Sequence, residues 1–381
     1  MNALAIRDVR PILYWGGETD RLVVVVETED GLTGVGESGV SGHLPAVAAA
    51  VTTLRPRLVG EDASRLDHLW QVMFRGGFFP GGNILSSAVA AVDIALWDIN
   101  GKALGVPVYR LLGGRSRERV PAYAHVGGHA LEGVVDSARA AVAEGWRYVR
   151  WGIPQQGQRH EPTVAVREAI QGMLALREAL GEDVEICIDL HARLDPSDAI
   201  QVCQGVQPMR PYFVEDPLRS ENPALYRHLR QHVQVPLAVG EHYTSKWEFR
   251  PVIEEDLIDF ARIDVSIVGG LTEARKVAGW CETHQIRVCT HNTLGPAGTA
   301  ASFHLNMAIP NVGVAEQYLK PGTTQRETFP VQIGWEDGYL VSNERPGLGV
   351  EFDERAALAS AFRGRHQGIL LRRDDGSVAN W

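Results

Sequence analysis

The sequence predicts an α/β protein in which a smaller α+β unit precedes a barrel of parallel strands. Residues 4–115 show strands followed by helices, whereas from Val120 onward short apolar strands alternate strictly with helical segments. Three of these later strands end on a carboxylate, and barrel enzymes place their chemistry at the C-terminal ends of the strands. We therefore expect eight parallel strands that close on themselves, with a functional site at one mouth.

The N-terminal unit begins with a strand pattern and continues with helices. Alternating apolar and polar residues over 4–38, with an Asp30-Gly31 turn, indicate a meander or hairpin. Helical patterns follow over 44–59, 64–74 and 86–103. Two glycine-rich stretches, 39–43 and 75–82, are either plain connectors or a lid that closes on a ligand.

The second part of the chain contains eight short apolar runs that are typical of buried strands. They lie near 120–126, 146–151, 184–189, 211–215, 236–241, 258–264, 286–291 and 312–316. Helical segments such as 161–180 and 271–284 separate them. From about residue 320 the chain leaves this pattern and shows hairpin-like pieces. We expect this tail to pack against the N-terminal unit, whose sheet edges need partners.

Three carboxylates, Asp189, Glu215 and Glu241, end consecutive strands at equal spacing (215 − 189 = 26 and 241 − 215 = 26). A spacing of about one strand and one helix predicts that they lie at one height on adjacent strands. A single acid at a strand end is often solvated or caps a helix. Three in register would repel one another strongly, so we expect a cation between them. Oxygen ligands without cysteine favour magnesium or manganese over zinc.

Further acids and bases end the neighbouring strands. His191 follows Asp189 by two residues, so both side chains are expected on the same side. Asp264 closes the sixth strand and His291 the seventh, and a carboxylate beside an imidazole can orient it as a general base. Asp264 could instead cap the following helix.

Glu316 ends the eighth strand and is expected to face the same mouth, although it could simply pair with Lys320. A lone histidine is more often structural than catalytic. For other histidines, among them His125 and His242, we therefore expect a structural role.

The composition argues against several classes of partner. The formal net charge of −10 disfavours nucleic acid or an anionic membrane, because phosphate binding needs clustered basic charge. The four cysteines are scattered, which predicts buried reduced thiols in a cytoplasmic protein. The start of the chain has no charged leader followed by an apolar core, and no run approaches membrane length.

Taken together, these residues resemble the enolase superfamily, and within it the mandelate racemase-like group that includes the sugar-acid dehydratases. The motifs that carry the resemblance are AVDIALWD (91–98), GKALGVP (101–107), LLGG (111–114), DLH (189–191), VEDP (214–217), VGE (239–241), IVGGLT (267–272) and HN (291–292). As a set they are specific to the superfamily and they span nearly the whole chain.

The resemblance implies a capping domain, built from the N-terminal part and the C-terminal tail, over a modified TIM barrel of the (β/α)7β type. We expect residues 1–118 to form the capping domain, 119–320 the barrel, and 321–381 the segment that returns to the cap. It also implies magnesium on the three carboxylates Asp189, Glu215 and Glu241, with manganese as the second choice, and a homo-oligomer.

Racemases and epimerases of this family commonly carry Lys-x-Lys on the second barrel strand, where this chain reads Tyr148-Val149-Arg150-Trp151-Gly152. The resemblance therefore implies one base, His291 with Asp264, and leaves His191 as the acid for a leaving hydroxyl, as in galactonate dehydratases. In contrast, Arg150 followed by Ile153-Pro154, and the tail that ends at Trp381, are more similar to mannonate dehydratases. The region after Pro154 has no obvious catalytic tyrosine, so the sequence leaves the substrate open.

The resemblance thus implies a magnesium-dependent lyase that dehydrates an aldonic acid to a 2-keto-3-deoxy acid. Two alternatives are an epimerase in which His191 and His291 are opposed bases, and a paralogue that binds an acid sugar without turning it over. We name Arg150, Arg75, His43 and Trp381 as candidate substrate contacts.

Overall fold

The computed structural model describes residues 4–153, 159–364 and 370–380. Its strands are β1 (Ile6–Trp15), β2 (Asp20–Thr28), β3 (Thr33–Glu37), β4 (Val120–Val126), β5 (Tyr148–Gly152), β6 (Glu185–Asp189), β7 (Phe213–Glu215), β8 (Leu237–Val239), β9 (Phe260–Ala261), β10 (Arg287–Val288), β11 (Ala315–Gln317), β12 (Gly334–Glu336), β13 (Tyr339–Val341), β14 (Leu371–Arg372) and β15 (Val378–Asn380). Its α-helices are α1 (Leu44–Leu54), α2 (Leu66–Arg75), α3 (Asn83–Ala103), α4 (Val108–Leu111), α5 (Leu131–Ala143), α6 (Pro162–Leu180), α7 (Pro196–Val206), α8 (Leu225–Arg230), α9 (Lys246–Glu254), α10 (Leu271–Thr283), α11 (Pro296–Ala308) and α12 (Glu354–Ala359).

The N-terminal unit is an antiparallel sheet, β1-β2-β3, packed against helices α1 and α3, and α2 packs against α3. The predicted meander is confirmed, since Glu27 pairs with Thr33 across the Asp30-Gly31 turn. Strand β3 approaches α3 so closely that a Cβ atom on Gly36 would lie 2.0 Å from the carbonyl oxygen of Ala91. Glycine at this position therefore sets the distance between sheet and helix.

Helix α3 has the length and apolar composition to cross a membrane, which the sequence analysis overlooked. In the fold, 89% of its apolar window is buried. It forms the core of the N-terminal unit, with contacts to α1, α2, β2 and β3. An apolar helix that is covered by protein on all sides is typical of the core of a globular fold.

The barrel consists of parallel strands in the order β4 to β10, and it closes because β11 pairs with β4. The gap between β10 and β11 is bridged through Val288 and Val312. Helices α5 to α11 each follow one of the first seven strands, whereas β11 leads into the β12–β13 hairpin. This is the predicted (β/α)7β arrangement, and its strand positions agree with those read from the sequence.

The C-terminal segment contacts both parts of the molecule. Strand β13 extends the sheet by pairing antiparallel with β4. Further on, the backbone N–H of Trp15 donates to the carbonyl of Ser360 at 3.0 Å, and the N–H of Leu348 donates to Asp98 Oδ1 at 2.8 Å. The capping domain therefore includes residues from both ends of the chain, while the boundaries given above stay predictions.

Buried carboxylates of the cap hold it over the barrel mouth. Glu37 accepts hydrogen bonds from the backbone N–H groups of Gly295 (2.8 Å) and Gly298 (3.0 Å) at the start of α11. Asp93 accepts one from Thr272 (3.0 Å) in the first turn of α10. Helix N-termini have unpaired N–H groups and a positive dipole end, so both carboxylates are well placed. The cap is thereby fixed beside the strand ends.

The four cysteines are unpaired and buried, as the sequence predicts. Cys187 and Cys289 lie with Tyr123, Phe213 and Phe260 in an apolar cluster inside the barrel. Clusters of this kind fill the interior of a barrel, so the functional site is expected at the mouth.

Candidate active site

The three predicted acids lie at the C-terminal ends of adjacent strands and are almost completely buried: Asp189 and Glu215 have no exposed surface, and Glu241 is 6% exposed. Asp189 pairs directly with Glu215, as expected. The same expectation is wrong for Glu241, because the register partner of Glu215 is Ala238. Glu241 lies beyond the end of β8, where Gly240 (φ +129°) bends the chain. Equal spacing along the sequence did not give equal height.

The bend brings Glu241 next to Glu215 and to Asp216, which the sequence analysis did not single out. One carboxylate oxygen from each of these three residues lies within 4.8 Å of the other two. Glu215 Oε2 and Asp216 Oδ2 are buried and have no hydrogen-bond partner among the residues that the structure describes. Hard oxygen atoms without donors are ligands that a divalent cation such as magnesium satisfies. The donor set therefore fits the predicted ion.

Asp189 lies beside this group and contacts other side chains. Its Oδ1 accepts a hydrogen bond from the backbone N–H of His191 at 2.6 Å, and its Oδ2 forms an ion pair with Arg150. The Arg150 Nε atom is 4.0 Å from Glu215 Oε2. Arg150, predicted as a substrate contact, therefore lies beside two of the predicted metal ligands, and its role in substrate binding stays a prediction.

A second arginine, Arg262, lies in the middle of the acids and was missed by the sequence analysis. It is fully buried, donates to Glu215 Oε1 at 2.6 Å and forms an ion pair with Glu316. It also lies 3.8 Å from Glu241 Oε2. A charged residue two positions before Asp264, within a predicted strand, was the signal that could have revealed it. Arg262 supplies part of the positive charge that we attributed to a metal alone.

Burial and neighbouring carboxylates raise the pKa values of these acids, whereas nearby positive side chains lower them. Burial raises the pKa of Glu215 to about 7, and nearby Glu241 adds to the rise while Arg262 opposes it. Burial alone would also raise the pKa of Glu241, but the positive charges of His291, His242 and Arg262 lower it. Glu241 is therefore ionised at neutral pH and available to a cation.

His291 and Asp264 form the predicted pair: Nδ1 of His291 lies 2.7 Å from Asp264 Oδ2. Since a carboxylate only accepts, Nδ1 donates, and Nε2 is the atom directed at Glu241 Oε2 (3.7 Å) and Glu316 Oε2 (3.8 Å). Burial alone would lower the pKa of His291, but Glu241, Glu316 and Asp264 raise it to about 10. A cation held by Glu241 would offset this field and lower the pKa of the imidazole.

His191 lies on the other side of the barrel mouth. It follows β6, whereas His291 follows β10, and β7, β8 and β9 lie between them in the sheet. His191 Nε2 is 3.1 Å from Asp189 Oδ2 and 3.1 Å from a nitrogen of Arg150. Burial lowers the pKa of His191 well below its usual value, and Arg150 adds to this effect. The imidazole is therefore neutral.

His191 has φ +51° and lies past the strand end, so turn geometry rather than strand alternation places it. The absence of a side chain on Gly152 makes room for it. A Cβ atom at residue 152 would lie 2.7 Å from His191 Cε1.

Gly152→Ala is expected to push the imidazole aside with little effect on folding, because only a movable side chain is in the way. A shift of about 1 Å in a catalytic group costs about 100-fold in rate. We expect a fall of this order in kcat with an unchanged thermal midpoint, measured by steady-state kinetics and thermal unfolding. A variant with parental kcat would show that this contact does not position His191.

Glu316 faces the mouth as predicted, and its alternative partner is excluded because Lys320 pairs with Glu144 at 3.6 Å. Besides Arg262, Glu316 contacts His125, whose Nε2 lies 2.7 Å from Glu316 Oε1. His125 Nδ1 is 3.5 Å from Arg150. The sequence analysis assigned His125 to the structural histidines, whereas the fold brings it among the site residues.

The remaining predicted substrate contacts lie further out. Arg75 ends α2, where it donates to Gln71 at 2.8 Å and lies 5.7 Å from the ring of Trp247. His43 is exposed at the start of α1. Trp381 lies outside the described residues, as does Pro154 with the region that follows it. Their roles stay predictions.

A closed parallel barrel, a cap over its C-terminal mouth and buried carboxylates beside two opposed histidines define a capped barrel with a group of acids that could hold a divalent metal ion. Two family models match the chain: the enolase C-terminal domain-like family over residues 133–356, and the mandelate racemase / muconate lactonizing enzyme N-terminal domain over residues 16–113.

Named relatives match over almost the full length. A D-mannonate dehydratase of Caulobacter sp. (strain K31) is 34% identical over 99% of this chain and 100% of its own. A D-galactonate dehydratase of Verminephrobacter eiseniae (strain EF01-2) is 36% identical over 93% of this chain and 95% of its own. Among solved structures, an enolase from Pantoea ananatis with bound D-gluconate and Mg has a TM-score of 0.94, with 32% identity and 99% of both chains covered.

The chain therefore belongs to the enolase superfamily, in its mandelate racemase-like group and among the dehydratase type, whose members are lyases.

Proposed function

We propose that this protein is a magnesium-dependent dehydratase that converts an aldonic acid into a 2-keto-3-deoxy acid. The observation that carries the proposal is the cluster of buried carboxylates with unpartnered oxygens, flanked on opposite sides by His191 and by the His291–Asp264 pair. The names of full-length relatives and the D-gluconate and Mg bound to a similar structure support the same class of substrate and cofactor. We further propose a homo-oligomer, as the resemblance implies, and a cytoplasmic location, as the scattered cysteines predict.

Asp189, Glu215 and Glu241 would hold the magnesium ion. When bound, such an ion supplies the positive charge that stabilises the second negative charge of an ene-diolate. Asp189 pairs with Arg150 in this structure. A bound cation would compete with Arg150 for this carboxylate and would release the guanidinium. Arg150 is then available to bind the substrate through charge-assisted hydrogen bonds to a carboxylate or hydroxyl oxygen.

His291 is proposed as the base that removes the proton next to the substrate carboxylate. Asp264 accepts a hydrogen bond from Nδ1, and this bond keeps the ring in one orientation. Nε2 is therefore the atom that accepts the substrate proton. Glu316, 3.8 Å from Nε2, and Asp264 stabilise the imidazolium that results. These two acids therefore support the base rather than replace it.

His191 is proposed as the acid, which requires its protonated form. Burial and Arg150 favour the neutral imidazole in the protein without substrate, and an anionic substrate bound beside Arg150 would raise the pKa of His191. Elimination of the β-hydroxyl breaks a C–O bond, and the leaving oxygen must take up one proton to depart as water. His191 lies across the mouth from His291, so one side chain accepts the proton removed at the α-carbon and the other delivers a proton to the leaving hydroxyl. The resulting enol then becomes the 2-keto-3-deoxy acid.

The proposal is tested by incubating the purified protein with Mg²⁺ and a panel of aldonic and aldaric acids, and measuring 2-keto-3-deoxy acid formation. Turnover that requires Mg²⁺ and is lost in Glu215→Gln supports it. Tight Mg²⁺-dependent binding of an acid sugar with negligible turnover across the panel would instead favour the binding paralogue. Relatives named for both mannonate and galactonate match at similar identity, so both acids belong in the panel.

His191→Asn is expected to stop elimination and to spare exchange of the α-proton, because the base is still present. Loss of a general acid lowers the rate by about 100- to 10,000-fold. Water loss is measured by keto-acid formation, and exchange by deuterium incorporation into recovered substrate. Continued dehydration at the parental rate would remove His191 as the acid.

The opposed positions of His191 and His291 also fit an epimerase with two bases. In that case the parental protein would incorporate deuterium with inversion at the α-carbon and without loss of water. His191→Asn would then retain exchange in one configuration only, which separates the two reactions.

A further inference from the structure

Asp216 lies at the centre of the metal-site carboxylates although it is not one of the three predicted ligands. Its side chain is 5% exposed, and an oxygen of the residue lies within 4.8 Å of oxygens from both Glu215 and Glu241. Oδ1 accepts a hydrogen bond from the backbone N–H of Gly240 at 3.3 Å, whereas Oδ2 is buried without a hydrogen-bond partner. Among the described residues, only one of the two carboxylate oxygens of Asp216 therefore has a hydrogen-bond donor.

Backbone hydrogen bonds connect Asp216 to the residues that follow β6 and to strand β8. Its N–H donates to the carbonyl of Ala238 (2.9 Å), and its carbonyl accepts from the N–H of Ala192 (2.8 Å), the residue after His191. With φ +34°, Asp216 has a backbone conformation that is uncommon for residues other than glycine. These bonds fix Asp216 between the turn that carries His191 and the bend that leads to Glu241.

Among the described residues Asp216 lacks a close cation, and burial together with nearby Glu241 and Glu215 raises the pKa of Asp216 well above its usual value. Within the part of the chain that the structure describes, no basic side chain lies within 4.0 Å of its carboxylate, whereas Glu215 pairs with Arg262 at 2.6 Å. A buried carboxylate without a partner is costly, and like charges within 5 Å add to that cost. A divalent cation between Glu215 and Glu241 would offset both.

We propose that Asp216 is a positioning carboxylate of the metal site: its charge increases the affinity of the Glu215–Glu241 cluster for a divalent cation, and its Oδ1 holds the peptide that precedes Glu241. This inference rests on the proposed metal site and adds a residue to it. Asp216 is therefore expected to lower the stability of the metal-free protein and to raise the stability of the metal-bound protein.

Asp216→Asn tests the inference because asparagine keeps the shape and the acceptor for Gly240 and removes only the charge. Mn²⁺ is the probe, and its binding is measured by titration calorimetry and by the loss of the free-ion electron paramagnetic resonance signal. We expect at least about tenfold weaker Mn²⁺ binding. We also expect a thermal midpoint without metal that is equal to or above that of the parent, and a smaller rise in midpoint on adding Mn²⁺.

Asp93→Asn is the matched control. Asp93 is also buried, also accepts one backbone hydrogen bond (from Thr272 at 3.0 Å), and also has one unpartnered oxygen, but it lies in the cap away from the cluster. Its replacement should leave Mn²⁺ affinity unchanged.

Each outcome decides the inference. Asp216→Asn with parental Mn²⁺ affinity overturns it and leaves the proposed function intact, provided that Glu241→Gln loses the ion. A variant that is less stable than the parent without metal, or that does not fold, shows a structural role and also overturns it. A parental protein that does not bind Mn²⁺ or Mg²⁺ at all contradicts both this inference and the proposed function.

Discussion

Replacing His291 by asparagine is expected to abolish exchange of the substrate α-proton with solvent while leaving metal binding intact. His291 Nε2 is the atom directed into the mouth, since Nδ1 is held by Asp264, and asparagine has no basic nitrogen to accept the proton. Removal of a general base lowers the rate by about 100- to 10,000-fold. Deuterium incorporation into the substrate in D₂O, with Mg²⁺ binding measured by calorimetry, checks both parts.

The matched control for this variant is His284→Asn. His284 also pairs with an aspartate, Asp256, at 2.9 Å, but it follows α10 on the outside of the barrel. Its replacement should change neither exchange nor metal affinity. Parental exchange in His291→Asn would remove His291 as the base, whereas loss of Mg²⁺ binding would show that the residue belongs to the metal site itself.

Replacing Arg262 by methionine is expected to destabilise the protein severely. The guanidinium is fully buried and contacts Glu215, Glu316 and the carbonyls of Cys289 and Thr290, both at 3.2 Å. Removing one partner of a buried ionic network leaves the others uncompensated, which costs about 3–5 kcal/mol in the free energy of unfolding. Urea-induced unfolding followed by circular dichroism without added metal measures the loss.

Saturating Mg²⁺ should recover part of the stability of Arg262→Met, because a cation bound to Glu215 offsets some of the exposed negative charge. Arg227→Met provides the control. Arg227 is paired with Glu255 on an exposed surface, where such a pair contributes little. An unchanged midpoint in Arg262→Met would mean that the metal-site carboxylates do not depend on arginine for their charge balance.

The two variants separate chemistry from the support of the site. His291 should affect the reaction and not the fold, whereas Arg262 should affect the fold and, through Glu215, the metal. Taken with Asp216→Asn, they describe a cluster in which fixed positive side chains balance only part of the negative charge. The negative charge that these side chains leave unbalanced favours the binding of a divalent cation.

Sequence reasoning located the strand ends correctly because each barrel strand is a short apolar run that stops at a polar residue. That pattern placed Asp189, Glu215, Asp264, His291 and Glu316 at the mouth. It failed for Glu241, since counting residues assumes loops of equal shape, and the bend at Gly240 moves this residue beyond the register of Glu215.

Residues whose role depends on long-range contacts were the ones missed. His125 lies on the first barrel strand, 191 positions before Glu316, and only closure of the barrel through β4 and β11 brings the two together. Asp216 follows Glu215 directly and was passed over, because strand alternation predicts that neighbouring side chains point to opposite faces. Its positive φ overrides that alternation.

The sequence by itself determined the barrel, the cap, the chain's family and the residues at the strand ends, because apolar periodicity and short motifs are local properties of the chain. Only the tertiary structure decided which charges meet: Arg262 lies between Glu215 and Glu316, and Arg150 pairs with Asp189. Charge balance in a buried site depends on distances of a few ångströms between residues far apart in the chain, and those distances are fixed only when the barrel closes.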